Sequence, residues 1–201
     1  LQELLRSAGQ PLLLPEEEAR FEIYLSLLLK WNARMNLTAI RDEGEILTRH
    51  FFESIFCARI LPPGIRTVLD YGSGAGFPGL PCAICRNDLQ VTLAESQGKK
   101  AAFLREAVRH LGVSAVVHHG RVEDMDRRTM FSAVLLRAVD RMREAVEGAA
   151  THVEGRGWLV LLTSRDAVEG WRSLDGFVFG EPYGIPLTDH RVLLMGQKLL
   201  S

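Results

Sequence analysis

The stretch RTVLDYGSGAGFPG, residues 66–79, joins a short β-prone run, Thr67-Val68-Leu69, to glycines at 72, 74, 76 and 79. Neither a strand nor a helix interior carries glycine at that density without cost, so the glycines form a turn. Behind them Pro81 to Cys85 is compact and mostly apolar. The local reading is therefore a strand, a tight loop, and a helix whose first backbone N–H groups are free to meet a polar ligand.

Spacing narrows the ligand. A phosphate-cradling loop needs a lysine and a hydroxyl after its last glycine, whereas Gly79 is followed by Leu80 and Pro81. A dinucleotide fingerprint counted from Gly72 and Gly74 requires glycine at 77, where Phe77 stands, although counting from Gly74 and Gly76 brings Gly79 into register. The best fit is an acid two positions before G-x-G-x-G: Asp70 with Gly72, Gly74 and Gly76. That pattern resembles the first motif of S-adenosylmethionine-dependent methyltransferases. A glycine-rich turn without a ligand is the plain alternative.

The chain has 201 residues, which suits one core. A formal charge of -1 gives no global pull on nucleic acid, so contact with an RNA backbone would need a local basic patch. Cys57, Cys82 and Cys85 cannot build a disulfide framework. Cys82-Ala-Ile-Cys85 is a lone C-x-x-C inside an expected helix and reads as packing, so no metal is assigned. The first ten residues lack a signal-peptide core, and no run approaches the ~20 apolar residues of a membrane span. A cytoplasmic protein with no membrane contact is expected.

Along the chain, Phe21, Tyr24, Leu25, Leu28 and Leu29 recur at helical steps behind Pro15 and Glu16 to Glu18. A second helix is predicted from Asp42 or Glu43 through Ile46, Leu47, His50, Phe51, Ser54 and Ile55 to the Pro62-Pro63-Gly64 turn. Strands are then expected at 90–95, 115–119, 131–137 and 158–163, alternating with helices at 99–111 and 141–152, as in a parallel sheet. Segments 177–183 and 191–198 are joined by a loop too short for a crossover helix and predict an antiparallel hairpin. The expected organisation is a helical extension at 1–61 on a core at 62–201, one structural domain overall.

In such a sheet ligands sit beyond the carboxyl ends of the strands. Glu95 ends the second strand 25 positions after Asp70, where an acid can accept from both hydroxyls of a ribose. Val122 and Glu123 follow the third strand, where an amide and a carboxylate could read an adenine edge. Arg137 ends the fourth and needs an anion there: a cofactor carboxylate, an RNA phosphate, or an internal partner such as Asp140 or Glu123. Leu136-Arg137-Ala138-Val139 offers neither the Asn/Asp-Pro-Pro-aromatic motif of amine methylation nor a nucleophilic cysteine. It is compatible with a target that already owns a free lone pair, such as guanine N7.

Taken together, several segments resemble the bacterial 16S ribosomal RNA guanine-N7 methyltransferases, also called glucose-inhibited division protein B. They are Lys30-Trp31-Asn32 with Asn36-Leu37-Thr38, Arg49-His50 with Ser54, the loop from Asp70 to Gly79, Ser96 with Gly98-Lys99-Lys100 and Phe103-Leu104, Arg121-Val122-Glu123, and Arg137-Ala138. The resemblance implies an α/β class I methyltransferase (Rossmann-like) fold, with a mostly parallel seven-stranded sheet, a C-terminal antiparallel hairpin and an N-terminal helical extension facing the substrate. It implies S-adenosylmethionine as cofactor, held at Gly72, Gly74, Phe77, Glu95, Val122, Glu123 and Arg137. Arg137 is the expected catalytic residue, 16S ribosomal RNA or the 30S subunit the partner, and a monomer the expected state.

The chain departs from the family where Glu53 and Glu95 replace Asp, Leu136 replaces Ser, and Thr163-Ser164 replaces a Lys-Gly pair. Losing that lysine removes a cation near the expected target pocket, for which Lys100, Arg191 or Arg34 would have to substitute. Three other readings stay open: a class I methyltransferase for another substrate, a binding module that keeps the fold without transfer, and an NAD-dependent reductase.

Overall fold

The computed structural model describes residues 1–137 and 142–200. Helices α1 (Gln2–Ser7) and α2 (Pro15–Met35) lead into α3 (Glu43–Glu45), a π-helical stretch (Ile46–Phe52) and α4 (Glu53–Ile60). Then come β1 (Thr67–Tyr71), α5 (Gly79–Cys85), β2 (Gln90–Glu95), α6 (Gly98–Leu111), β3 (Ala115–His119), β4 (Phe131–Arg137) and α7 (Met142–Thr151). The chain closes with β5 (Val153–Ser164), α8 (Val168–Trp171), β6 (Phe177–Phe179), β7 (Tyr183–Gly184) and β8 (Arg191–Lys198).

Local chemistry accounts for the helix ends. Pro15 begins α2, the Glu17 carboxylate accepts from the Leu14 amide at 2.8 Å, and Asn36 ends the helix in the left-handed region. Asp42 caps α3 by accepting from the Glu45 amide at 2.8 Å. The π-helical stretch is not foreshadowed by the 3.6-residue period. Its wider turn brings Phe51, Phe52 and Glu53 inside together, where a regular stripe would bury Leu47 and His50 more fully.

The sheet runs β3-β2-β1-β4-β5-β8-β6, parallel from β3 to β5 and antiparallel from β5 to β8 and β6. The expected 177–183 strand is broken: β6 and β7 lie one after the other along β8, leaving seven lanes. Pro182 between them has no N–H to give to a ladder. Side chains alternate between two buried faces. Val68, Val91, Leu93, Leu135 and Leu162 face a layer containing Tyr24, Phe51, Ile55, Leu80 and Phe103, so the amino-terminal helices share a core with the sheet. Leu69, Tyr71, Val134, Leu136 and Leu161 face Val146 and Ala149 of α7 and Val168 of α8.

The strand order reverses between β1 and β4, since the chain moves outward from β1 to β3 and then returns to β1's other side. A crevice at the carboxyl ends follows from that reversal.

Candidate active site

Four expected site elements meet at these strand ends. Gly72, Gly74 and Gly76 have φ of 68°, 58° and 95°, in the left-handed region where only glycine is at ease. The loop is locked from beneath: the Ser73 amide donates to Ala94 O at 2.9 Å, the Gly76 amide to Ser73 O at 2.7 Å, and the Tyr24 hydroxyl to Ala75 O at 2.6 Å. Asp70 does not face outward. Its Oδ2 accepts from the Gly79 amide at 3.0 Å, so the first N–H of α5, expected to be free, is taken.

Burial pushes the Asp70 carboxyl up to about 7, the loop bonds and Arg137 only partly offsetting it. An unperturbed carboxyl titrates near 3.9. The folded chain thus holds a proton that the unfolded chain releases, and the stability this contributes is full below about pH 4 and lost as pH rises through about 7. Between pH 5 and 8 the loss is on the order of 3 kcal/mol. Urea titrations at both pH values are expected to show that loss in the native chain and not in Asp70→Asn. Equal pH slopes in the two proteins would exclude Asp70 as the group responsible.

Glu95, only 6% exposed, lies beside the loop because Ala94 pairs with Tyr71. Its carboxylate accepts from the amides of Gly74 at 2.9 Å and Gln97 at 2.7 Å, which fix it against the loop. Val122 is buried in a short 3-10 turn after β3, and Glu123 accepts from the Tyr71 hydroxyl at 2.7 Å. That bond holds the Glu123 carboxyl below its ordinary range. Phe77 turns its ring into the core, stacked between Tyr24 at 5.1 Å and His50 at 4.9 Å, so its outward contribution is backbone.

Arg137 leaves β4 beneath the loop, its side chain 10% exposed. Of the two expected internal partners the described residues test only Glu123, and it is not the one. Glu123 is engaged by Tyr71, and Asp140 lies outside the described residues. Glu53, 1% exposed, faces Arg137 at 3.4 Å and Arg191 at the same distance. Arg137 Nη1 also donates to His50 Nδ1 at 2.8 Å, and Nη2 donates to the Arg49 carbonyl within the π-helical stretch. Arg191 pairs in register with Ser164 and places a cation beside Thr163-Ser164. The Tyr24–Ala75, Glu53–Arg137 and His50–Arg137 bonds span 51 to 87 residues, so no local spacing could have signalled them. Cys82 is buried against Cys57 and that contact raises its thiol, while burial pushes Cys85 up to about 12, so neither is poised as a nucleophile.

A doubly wound sheet closed by an antiparallel strand, with a glycine loop after β1 and an acid ending β2, is the class I methyltransferase fold. Solved structures agree: a putative O-methyltransferase from Klebsiella pneumoniae superposes with TM-score 0.66 over 88% of this chain and 90% of its own, at 14% identity. P. horikoshii TYW2 in complex with MeSAdo gives 0.61 over 76% and 63%, at 16%. Residues 17–176 match the family described as GidB, rRNA small subunit methyltransferase G, and the chain belongs to that family. Its relatives include ribosomal RNA small subunit methyltransferase G of Xylella fastidiosa (strain M23), 44% identical over 140 residues. The match covers 69% of this chain and 65% of that relative's length.

Proposed function

We propose that this protein transfers a methyl group from S-adenosylmethionine to N7 of a guanine in 16S ribosomal RNA of the small ribosomal subunit, acting in the cytoplasm as a monomer. The observation that carries the reading is the family match over 17–176, which contains Gly72, Gly74, Phe77, Glu95, Val122, Glu123 and Arg137. Among the described residues, no helix is long and apolar enough to cross a membrane.

The residues present fit the cofactor. Three glycines keep side chains out of the loop, the Glu95 carboxylate sits beside it, and Arg137 Nε is buried with no partner among the described residues. Gly72, Gly74, Phe77 through its backbone, Glu95, Val122, Glu123 and Arg137 would hold it. When bound, S-adenosylmethionine supplies an electrophilic methyl group on a sulfonium. What the chain itself contributes is alignment and charge.

The titratable groups nearby support an acceptor that needs no base. His50 Nδ1 is occupied by Arg137, Asp70 is sealed under the loop and Glu123 is bonded to Tyr71. Guanine N7 has a lone pair and no proton to lose, so positioning suffices. Arg191 supplies a cation where the family lysine is missing, and the amino-terminal helices would form part of the RNA-facing surface. Incubation of under-modified 30S subunits with labelled S-adenosylmethionine should yield labelled 7-methylguanosine on nucleoside analysis. Label in any other nucleoside, or none, would refute the assignment.

A further inference from the structure

The amino-terminal helices reach the strand ends through one connected set of hydrogen bonds. Asn32, 5% exposed on α2, accepts from the Thr38 amide at 3.0 Å and so fixes the loop after the helix. Thr38 Oγ1 lies 2.8 Å from His50 Nε2 and also accepts from the Ile40 amide at 3.2 Å. His50 Nδ1 lies 2.8 Å from Arg137 Nη1. A guanidinium only donates, so Nδ1 must present its lone pair. The imidazole proton then sits on Nε2 and points at Thr38.

We infer that His50 is a positioning residue for Arg137: its neutral Nε2–H tautomer, required by the Arg137 donor and steadied by Thr38 as acceptor, presents Nδ1 as an acceptor that sets the direction of the Arg137 guanidinium. Three features make the arrangement directional. First, Glu53 alone would leave Arg137 loosely aimed, because its contact is 3.4 Å and is shared with Arg191. The shorter bond to His50 and the bond to the Arg49 carbonyl define the plane of the guanidinium fork. Second, the His50 ring cannot turn freely, because it stacks on Phe77 at 4.9 Å and 20°. Third, a second proton on the ring would point a cation at Arg137. Burial, then Arg137 and Arg49, push His50 down to about 3, so the ring stays neutral at working pH.

Phe77 belongs to the glycine loop, so the same ring that aims Arg137 also packs against the loop from its core side. A shift of the loop would be felt at Arg137 through the stack. This inference rests on the proposed methyl transfer only for its kinetic readout; the tautomer itself is independent of any reaction.

The test therefore has two arms. In the first, long-range 15N–1H correlation spectra of the full chain, with the His50 signals assigned by their loss in His50→Asn, should show Nε2 protonated and Nδ1 bare at neutral pH. In Thr38→Val Nδ1 should stay bare, because Arg137 still donates to it, while the Nε2 proton loses its acceptor and its signal shifts. Nδ1 protonated in the native chain or in Thr38→Val overturns the inference whatever the protein methylates.

In the second arm, transfer to 30S subunits is measured. Asn keeps an acceptor on the γ-carbon but loses the stacked ring, whereas Phe keeps the ring and loses the acceptor. A positioning role predicts that His50→Phe lowers kcat by roughly 100-fold, as misplacement of a reacting partner does, while His50→Asn retains most of it. The reverse order, Phe active and Asn impaired, assigns His50 to packing and overturns the inference. Absence of methyl transfer in the native protein would count against the proposed function and leave the spectroscopic arm to decide.

Discussion

Gly79→Ala is expected to destabilise the protein by about 3–5 kcal/mol, close to the largest effect a single methyl group can have. An added Cβ would stand 2.5 Å from Leu93 Cδ2 and 2.6 Å from Asp70 Oδ2, both in the core. Leu93 is fully enclosed and Asp70 is anchored by the very amide that would have to move, so neither can retreat cheaply. Overpacking accounts for about 1–3 kcal/mol. Loss of the Gly79 bond adds a further 1–3 kcal/mol, since it leaves both Asp70 oxygens buried and unpartnered. Oδ1 already has no partner. A melting temperature lower by roughly 6–20 °C is the corresponding shift for a chain of this size. Gly170→Ala is the control: nothing lies within 4 Å of its added methyl group, and it sits in α8. It should be neutral or gain a few tenths of a kcal/mol. Equal melting temperatures for Gly79→Ala and the native chain would mean that Asp70 and Leu93 do not hold the loop.

The contrast between Gly79 and Arg137 marks how far the sequence could be read. Strands β1 to β5 and α6 were legible because each side chain's face is set by its near neighbours. A strand buried on both sides reads as an apolar run, and a helix such as α6, Gly98–Leu111, as a stripe closed by a glycine at 112. The strand ends at which the site is proposed were legible for the same reason, as strand ends follow from strands. What Arg137 touches was not. Its partners sit on a π-helical stretch and on α4, and no period in residues 43–60 announces an extra residue per turn or an inward Glu53. Of the two carboxylates named as partners from the sequence, Asp140 lies outside the described residues and Glu123 is bonded to Tyr71, while long-range packing brings Glu53 to Arg137. The split of β6 from β7 was within reach, since Pro182 was visible in a predicted strand.

Arg137→Ala is expected to abolish methyl transfer and, because of Glu53, to weaken the fold as well. The sequence alone makes Arg137 a strand-end group that could be removed with folding intact. The structure makes it the partner of a carboxylate with 1% exposure, which would be left with Arg191 alone. Breaking a buried ion pair from one side costs about 3–5 kcal/mol, most of it the penalty on the abandoned charge. Activity should fall at least 100-fold, the usual loss when a fixed cation is taken from a reacting centre. These two effects separate in the double variant. Adding Glu53→Gln removes the stranded charge, so Arg137→Ala/Glu53→Gln should regain most of the lost stability in urea titration while transfer stays lost. Glu53→Gln alone should retain measurable transfer, because the His50 and Arg49 bonds still aim the guanidinium. If the double variant recovered transfer together with stability, Arg137 would be a structural residue, and the charge acting on the acceptor would have to come from Arg191. Arg191 is 27% exposed and already aligned on the same carboxylate.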